Sequence, residues 1–125
     1  MKRIFKTRHF SRWSRKAGLN DSALCTAVEE MTGGLVDADL GGGVFKKRVA
    51  LPGRGKSSGA RTLVATNRGD RWFFVFGFEK NVRTNIADHE REALQTIAAD
   101  LLGLTSAELD TAVAEKKLLE LCHDN

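Results

Sequence analysis

The sequence predicts an α+β domain built on a small antiparallel sheet of about four strands. Three observations predict it. A short β-type run near the start, RIFK, is followed by two segments of helical period. Three strand-like runs then follow one another between residues 44 and 79. Two more segments of helical period come after them. Strands and helices grouped in this way, without strict alternation, give α+β, with the two N-terminal helices packed on the sheet and C-terminal helices after it.

Each element has local support. Arg3 to Lys6 carries Ile4 and Phe5 and reads as the first strand. Phe10, Trp13 and Ala17 stand at helical spacing, and Gly18 stops that helix. Asn20, Asp21 and Ser22 are each able to cap a second helix, whose stripe is Leu24, Ala27, Val28 and Met31. Gly33 and Gly34 end it. Leu35 to Gly43 reads as a loop with a triple-glycine hinge. Val44 to Leu51 is the next strand, stopped by the only proline, Pro52. Gly53 to Gly59, GRGKSSG, is a basic turn, and Ala60 to Thr66 the following strand. NRGD at 67–70 is a tight hairpin signal. Arg71 to Glu79 is aromatic and β-branched almost throughout, as a strand covered on both faces would be. Asp88 caps a third helix with Leu94, Ile97, Ala98, Leu101 and Leu102 on one face, broken at Gly103. TSAE at 105–108 is a capping box for a last helix carrying Leu109, Ala112, Val113, Leu118, Leu119 and Leu121.

At 125 residues the chain makes one domain, residues 1–125, large enough to need no staple. The formal charge is +4, but it is unevenly spread. Lys2 to Lys16 holds seven cations and no acid, while Asp88 to Asn125 holds nine acids and three bases. A basic body with an acidic C-terminal region suggests a polyanionic partner. The cysteines, Cys25 and Cys122, have no metal-ligand spacing. Cys25 reads as a small core residue and Cys122 as a free thiol, which fits a reducing cytoplasm. MKRIFKTRHFSRW is basic without an apolar core, so it is not a secretory signal. No segment reaches the length of a membrane span.

The chemistry concentrates between Lys46 and Arg71, where eight Lys or Arg (46, 47, 48, 54, 56, 61, 68, 71) meet one acid, Asp70. Strand formers alternating with cations make a sheet face able to grip a phosphate backbone. GRGKSSG lacks the spacing of a nucleotide-binding P-loop and no helix follows it, which excludes nucleotide hydrolysis on that motif. His9, His89 and His123 lie outside the sheet region and read as solvated surface. Trp72, Phe73, Phe74 and Phe76 read as core.

The order and spacing of KKRVALPGRGKSSGARTLVAT, RWFFVFGFEKN and an acid-capped helix resemble the RelE/ParE superfamily, within it the HigB-like RelE toxins of type II toxin–antitoxin modules. The resemblance covers about residues 2–102, with the helix at about 105–122 as an addition. It implies a RelE-like fold and a ribosome-dependent mRNA endonuclease. It also implies a cognate antitoxin, usually of helix-turn-helix type, forming a hetero-oligomer with the toxin, and neither metal, cofactor nor membrane.

Metal-free RNA cleavage sends a 2′-OH against its own phosphate, so one group takes the hydroxyl proton, cations stabilise the developing charge, and one group protonates the leaving 5′-oxygen. A cation-only set fits the family pattern. Arg61, whose planar fork suits two phosphate oxygens, leads the catalytic candidates, with Lys56, Lys46 and Lys80. A lysine crowded by cations has a lowered pKa and so can serve as acid or base. Lys47, Arg48, Arg54, Arg71, Phe78 and Asn81 are the RNA-binding candidates. Strand alternation puts Lys46 and Arg48 on one face and Lys47 on the other, so all three cannot face substrate. The chain has no tyrosine, where several relatives place one near the end of the sheet. A phenylalanine can stack there but cannot exchange a proton. The N-terminal cations read equally as a ribosomal RNA contact and as a seat for antitoxin acids. The alternatives are a ParE-like gyrase inhibitor, which shares the fold but needs no phosphate-cleaving cation cluster, and a non-enzymatic RNA-binding module, whose affinity replacing Arg61 would only mildly reduce.

Overall fold

Thr7 both ends the first strand and starts the first helix: its hydroxyl accepts from the Phe10 N–H at 3.1 Å. The computed structural model, which describes residues 2–53 and 59–123, runs β1 (Arg3–Thr7), α1 (Arg8–Ala17), α2 (Asp21–Thr32), β2 (Ala38–Gly41), β3 (Val44–Val49), β4 (Ala60–Thr66), β5 (Arg71–Glu79), α3 (Asp88–Leu102), α4 (Ser106–Ala114) and β6 (Leu118–Leu121). Gly18, at φ 78°, closes α1 in the left-handed conformation that glycine takes without steric cost. Asn20 caps α2, its side chain accepting from the Ala23 N–H. Thr105 and Glu108 form the predicted capping box of α4.

The sheet has six strands in the order β2-β3-β4-β5-β1-β6. The expectation was an antiparallel sheet of about four. β2 is antiparallel to β3, β3 to β4, β4 to β5 and β1 to β6, but β1 lies parallel to β5, so the sheet is mixed. The class, α+β, is as predicted. The two extra strands come from segments read otherwise. Within Leu35 to Gly43, residues Ala38–Gly41 hydrogen-bond to β3 through a turn in which Gly41, Gly42 and Gly43 all have positive φ. The last helix stops at Ala114. Lys116, at φ 61°, reverses the chain, and Leu118–Leu121 pairs with β1. Burial alternates there only at the ends, Leu118 and Leu121 being covered. The open edge of β1 offers that segment ladder hydrogen bonds that a helix end could not use.

Helices cover both faces of the sheet. On one, α1 and α2 enclose a core containing Ile4, Phe10, Leu24, Val28, Phe45, Val64, Trp72 and Phe74. On the other, α3 and α4 enclose Phe5, Val44, Leu63, Ala65, Phe73, Leu94, Ala98 and Leu109. β5 is covered on both, as its composition required. A side chain at Gly77 would put its Cβ 2.3 Å from the Trp13 ring, so only glycine lets α1 sit this close to β5.

Both cysteines are described, and they are joined. Cys25 of α2 and Cys122 just beyond β6 form a disulfide with Cα atoms 5.7 Å apart. This corrects the reading of Cys122 as a free thiol. Antiparallel pairing with β1 carries Cys122 back over the face that α2 covers. The cysteines therefore give no argument for a reducing compartment. No described helix is long and apolar enough to cross a membrane.

Candidate functional site

Strand register decides which cations meet. Across β3, β4 and β5 the Cα partners form two neighbouring rows: Arg48 beside Arg61 beside Phe78, and Lys46 beside Leu63 beside Phe76. Alternation places all six on the face that carries α3 and α4. α3 leans over the far end of those strands, where Gln95 hydrogen-bonds to the Leu40 carbonyl and packs against Gly42. The Arg48–Arg61 row lies at the opposite end, and the Lys46 row lies between, with Leu63 in the same core as Leu94 and with Phe76 facing α3.

Arg61 is the most enclosed of the three cations in these rows, 5% exposed. Burial, and after it the like charge of Arg48, lower its pKa from the ordinary arginine value, while Asp37 acts against them. A guanidinium desolvated beside another cation is stabilised by any anion that joins it. Arg48 is half-exposed and partly neutralised by Asp37, whose carboxylate lies 3.3 Å from its Nε and accepts from its backbone N–H. Lys46 is partly buried. Lys80 and Asn81 are exposed at the same end of β5, and the Lys80 N–H donates to the Gly59 carbonyl at 3.2 Å. Lys56 and Arg54 lie outside the described residues, in the segment between Gly53 and Gly59 that enters β4 one residue before Arg61.

Three expected RNA contacts lie elsewhere or are covered. Lys47 is on the opposite face, its side chain 2% exposed, with its ammonium 2.8 Å from Glu30 of α2. Arg71 starts β5 and Phe78 nearly ends it, about 23 Å apart along an extended strand. Arg71 is held there by Asp70 at 3.0 Å and by the Ser106 hydroxyl at 2.9 Å. Phe78 is in the right row but only 4% exposed, its ring covered by the Arg83 guanidinium 5.3 Å from its centroid. The ring left partly open is Phe76.

Two residues join the site that the sequence did not point to. Arg83 stands over both Phe76, at 5.6 Å, and Phe78, and its Nη2 donates to Glu90 at 2.6 Å. His9, read as solvated, is exposed, but its ring stacks on Phe76 with centroids 5.7 Å apart and planes 4° from parallel. Their only sequence signals were a cation shortly after FEKN and a histidine at a helix start, neither tied by spacing to the sheet. Among the described residues no group of three or more His, Cys, Asp or Glu side chains is arranged to hold a metal ion.

The arrangement is a cationic strip, bordered by aromatic rings, on one sheet face. It can hold a phosphodiester against Arg61 with Lys46 and Arg48 beside it. A search of curated proteins found no significant match. The family model described as the RelE toxin of the RelE/RelB toxin–antitoxin system matches residues 2–121, through α4 and β6 and so beyond the span to about Leu102 expected from sequence. The chain therefore belongs to the RelE toxin family, the toxins of toxin–antitoxin systems, whose members generally inhibit translation as mRNA endonucleases and are paired with a cognate antitoxin.

Proposed function

We propose that this chain is a ribosome-dependent mRNA endonuclease of the HigB-like branch, acting in the cytoplasm and held inactive by a helix-turn-helix antitoxin. The observation that carries the reading is the pair of rows Arg48–Arg61–Phe78 and Lys46–Leu63–Phe76 on one sheet face. A gyrase inhibitor has no need of cations gathered in neighbouring rows of one sheet face. Arg61 binds the non-bridging oxygens of the scissile phosphate and stabilises the charge that grows as the 2′-oxygen attacks. Lys46 and Arg48 share that charge. The proton leaves the 2′-OH and a proton reaches the departing 5′-oxygen through lysines, with Lys46, Lys56 and Lys80 as the candidates. The products are a 2′,3′-cyclic phosphate and a 5′-hydroxyl end.

The test is induced expression in a bacterium of the native chain and of Arg61→Ala, with growth and mRNA 5′-ends read together. The expected result is growth arrest with new ends inside translated messages, and a loss of about 100-fold or more in cleavage in the variant, the scale of removing one charge-stabilising donor. Arrest with intact mRNA would overturn the reading in favour of a gyrase inhibitor. Cleavage undiminished in Arg61→Ala would remove Arg61 from the mechanism.

A further inference from the structure

Beside the cationic strip lies a cavity of about 370 Å³ lined by Thr7, His9, Val75, Phe76 and, from α3, Glu90, Ala93, Leu94 and Ile97. Its size is within the range of small-molecule sites, roughly 300–1,000 Å³. We propose that it is a nucleobase pocket, taking the base adjacent to the cut and preferring bases that carry an exocyclic amine over uracil. The inference rests on the endonuclease reading above.

Three features of the cavity point to a base. Two of its lining rings, His9 and Phe76, lie parallel, and beside the cavity the Arg83 guanidinium stands over Phe76 and Phe78. Base-on-aromatic and base-on-guanidinium stacking is the usual way an unpaired base is held. Its position fits one nucleotide: Phe76 is two residues along β5 from Phe78, the row partner of Arg61, a step of about 6.6 Å. A chain with its phosphate at Arg61 thus brings the neighbouring base to Phe76. Its rim is polar in a specific sense. The Glu90 carboxylate, fixed by the Ala87 N–H at 2.8 Å and by Arg83, accepts hydrogen bonds and donates none. The amino groups of adenine, cytosine and guanine can donate to it. Uracil has no amine, and where cytosine carries its amine uracil carries a carbonyl, which leaves the N3–H as its one donor on that edge.

The test compares native, His9→Ala and Ile97→Trp chains by transcriptome-wide mapping of mRNA 5′-ends, with base frequencies normalised to the same codon position in uncut messages. His9 and Ile97 are both exposed, so neither change threatens the fold. His9→Ala removes part of the stack, and Ile97→Trp fills the cavity. The expected result is depletion of uracil at one position flanking the cut in the native map, with that bias reduced about fivefold or more in both variants. A native map without base bias, or bias unchanged in both variants, overturns the proposal. So does Ile97→Trp that keeps the bias but is no longer rescued by the antitoxin, which would make the cavity a protein-docking surface. Native arrest with no mRNA ends is a separate outcome: it removes the endonuclease reading and this pocket with it.

Discussion

Lys46 and Lys47 are adjacent in sequence and lie on opposite faces of β3, the first in the cation-bearing rows and the second beneath α2 against Glu30. Their substitutions should separate accordingly. Lys46→Met removes charge beside the phosphate and should lower mRNA cleavage about tenfold or more while barely moving the melting temperature. Lys47→Met leaves cleavage in place but removes the partner of a partly covered carboxylate, at a cost of about 1–3 kcal/mol readable by thermal denaturation. Gly77→Ala drives a methyl group into Trp13 and should cost a similar amount, with a drop of several degrees in Tm. At this scale the sequence was legible where alternation applies. Period-two reasoning separated Lys47 from Lys46 and Arg48, whereas Arg61 led the candidates for its planar fork at the start of a strand. It could not find His9 or Arg83, because nothing in a linear pattern says that the start of α1 and the turn after β5 meet over Phe76.

β6 is the element whose attachment is most exposed to pH. The Arg3 guanidinium grips the Glu120 carboxylate with Nε at 2.9 Å and Nη2 at 2.8 Å, and Nη2 also meets Asp110 of α4 at 2.9 Å. The hydrogen bonds from Arg3 hold the Glu120 pKa below its ordinary 4.5 against the opposing effect of burial. A depressed carboxylate pKa stabilises the fold fully above the unfolded value, and that contribution is lost as pH falls through the folded one. Stability should therefore decline below about pH 4.5, and Glu120→Gln should be less stable at neutral pH with a flatter acid limb, as measured by denaturant melts across pH. The elements the sequence missed are the two at the sheet edges. β2 hides in a loop-like stretch of Asp and Gly. β6 carries Leu118, Leu119 and Leu121, which suit a helix end as well as a strand. Short edge strands take their identity from the neighbour they pair with, and that neighbour is remote in sequence. β3, β4 and β5 were legible because each carries strand-forming residues in sequence and is bounded by Pro, Gly or Asn turns.

Across the whole molecule, the Cys25–Cys122 bond ties β6 to α2 over a sequence separation of 97. A loop of that length restricts the unfolded chain enough to contribute up to about 5 kcal/mol. Native protein should show no reactive thiol without reductant, and reduction or Cys25→Ser should lower Tm markedly. Equal melting with and without reductant would mean that the bond does not form in solution. The topology has one more consequence, for the order in which the chain is made. β1 lies between β5 and β6, so Arg3 meets Arg71 only 68 residues later, and Ile4 meets Leu121 only after 117. A nascent chain therefore carries a completed first strand, with Ile4 and Phe5, long before either sheet neighbour exists. Until then β1 is a strand with two unpaired edges, open to the wrong partner, and the sheet cannot close around it before nearly the whole chain has been made.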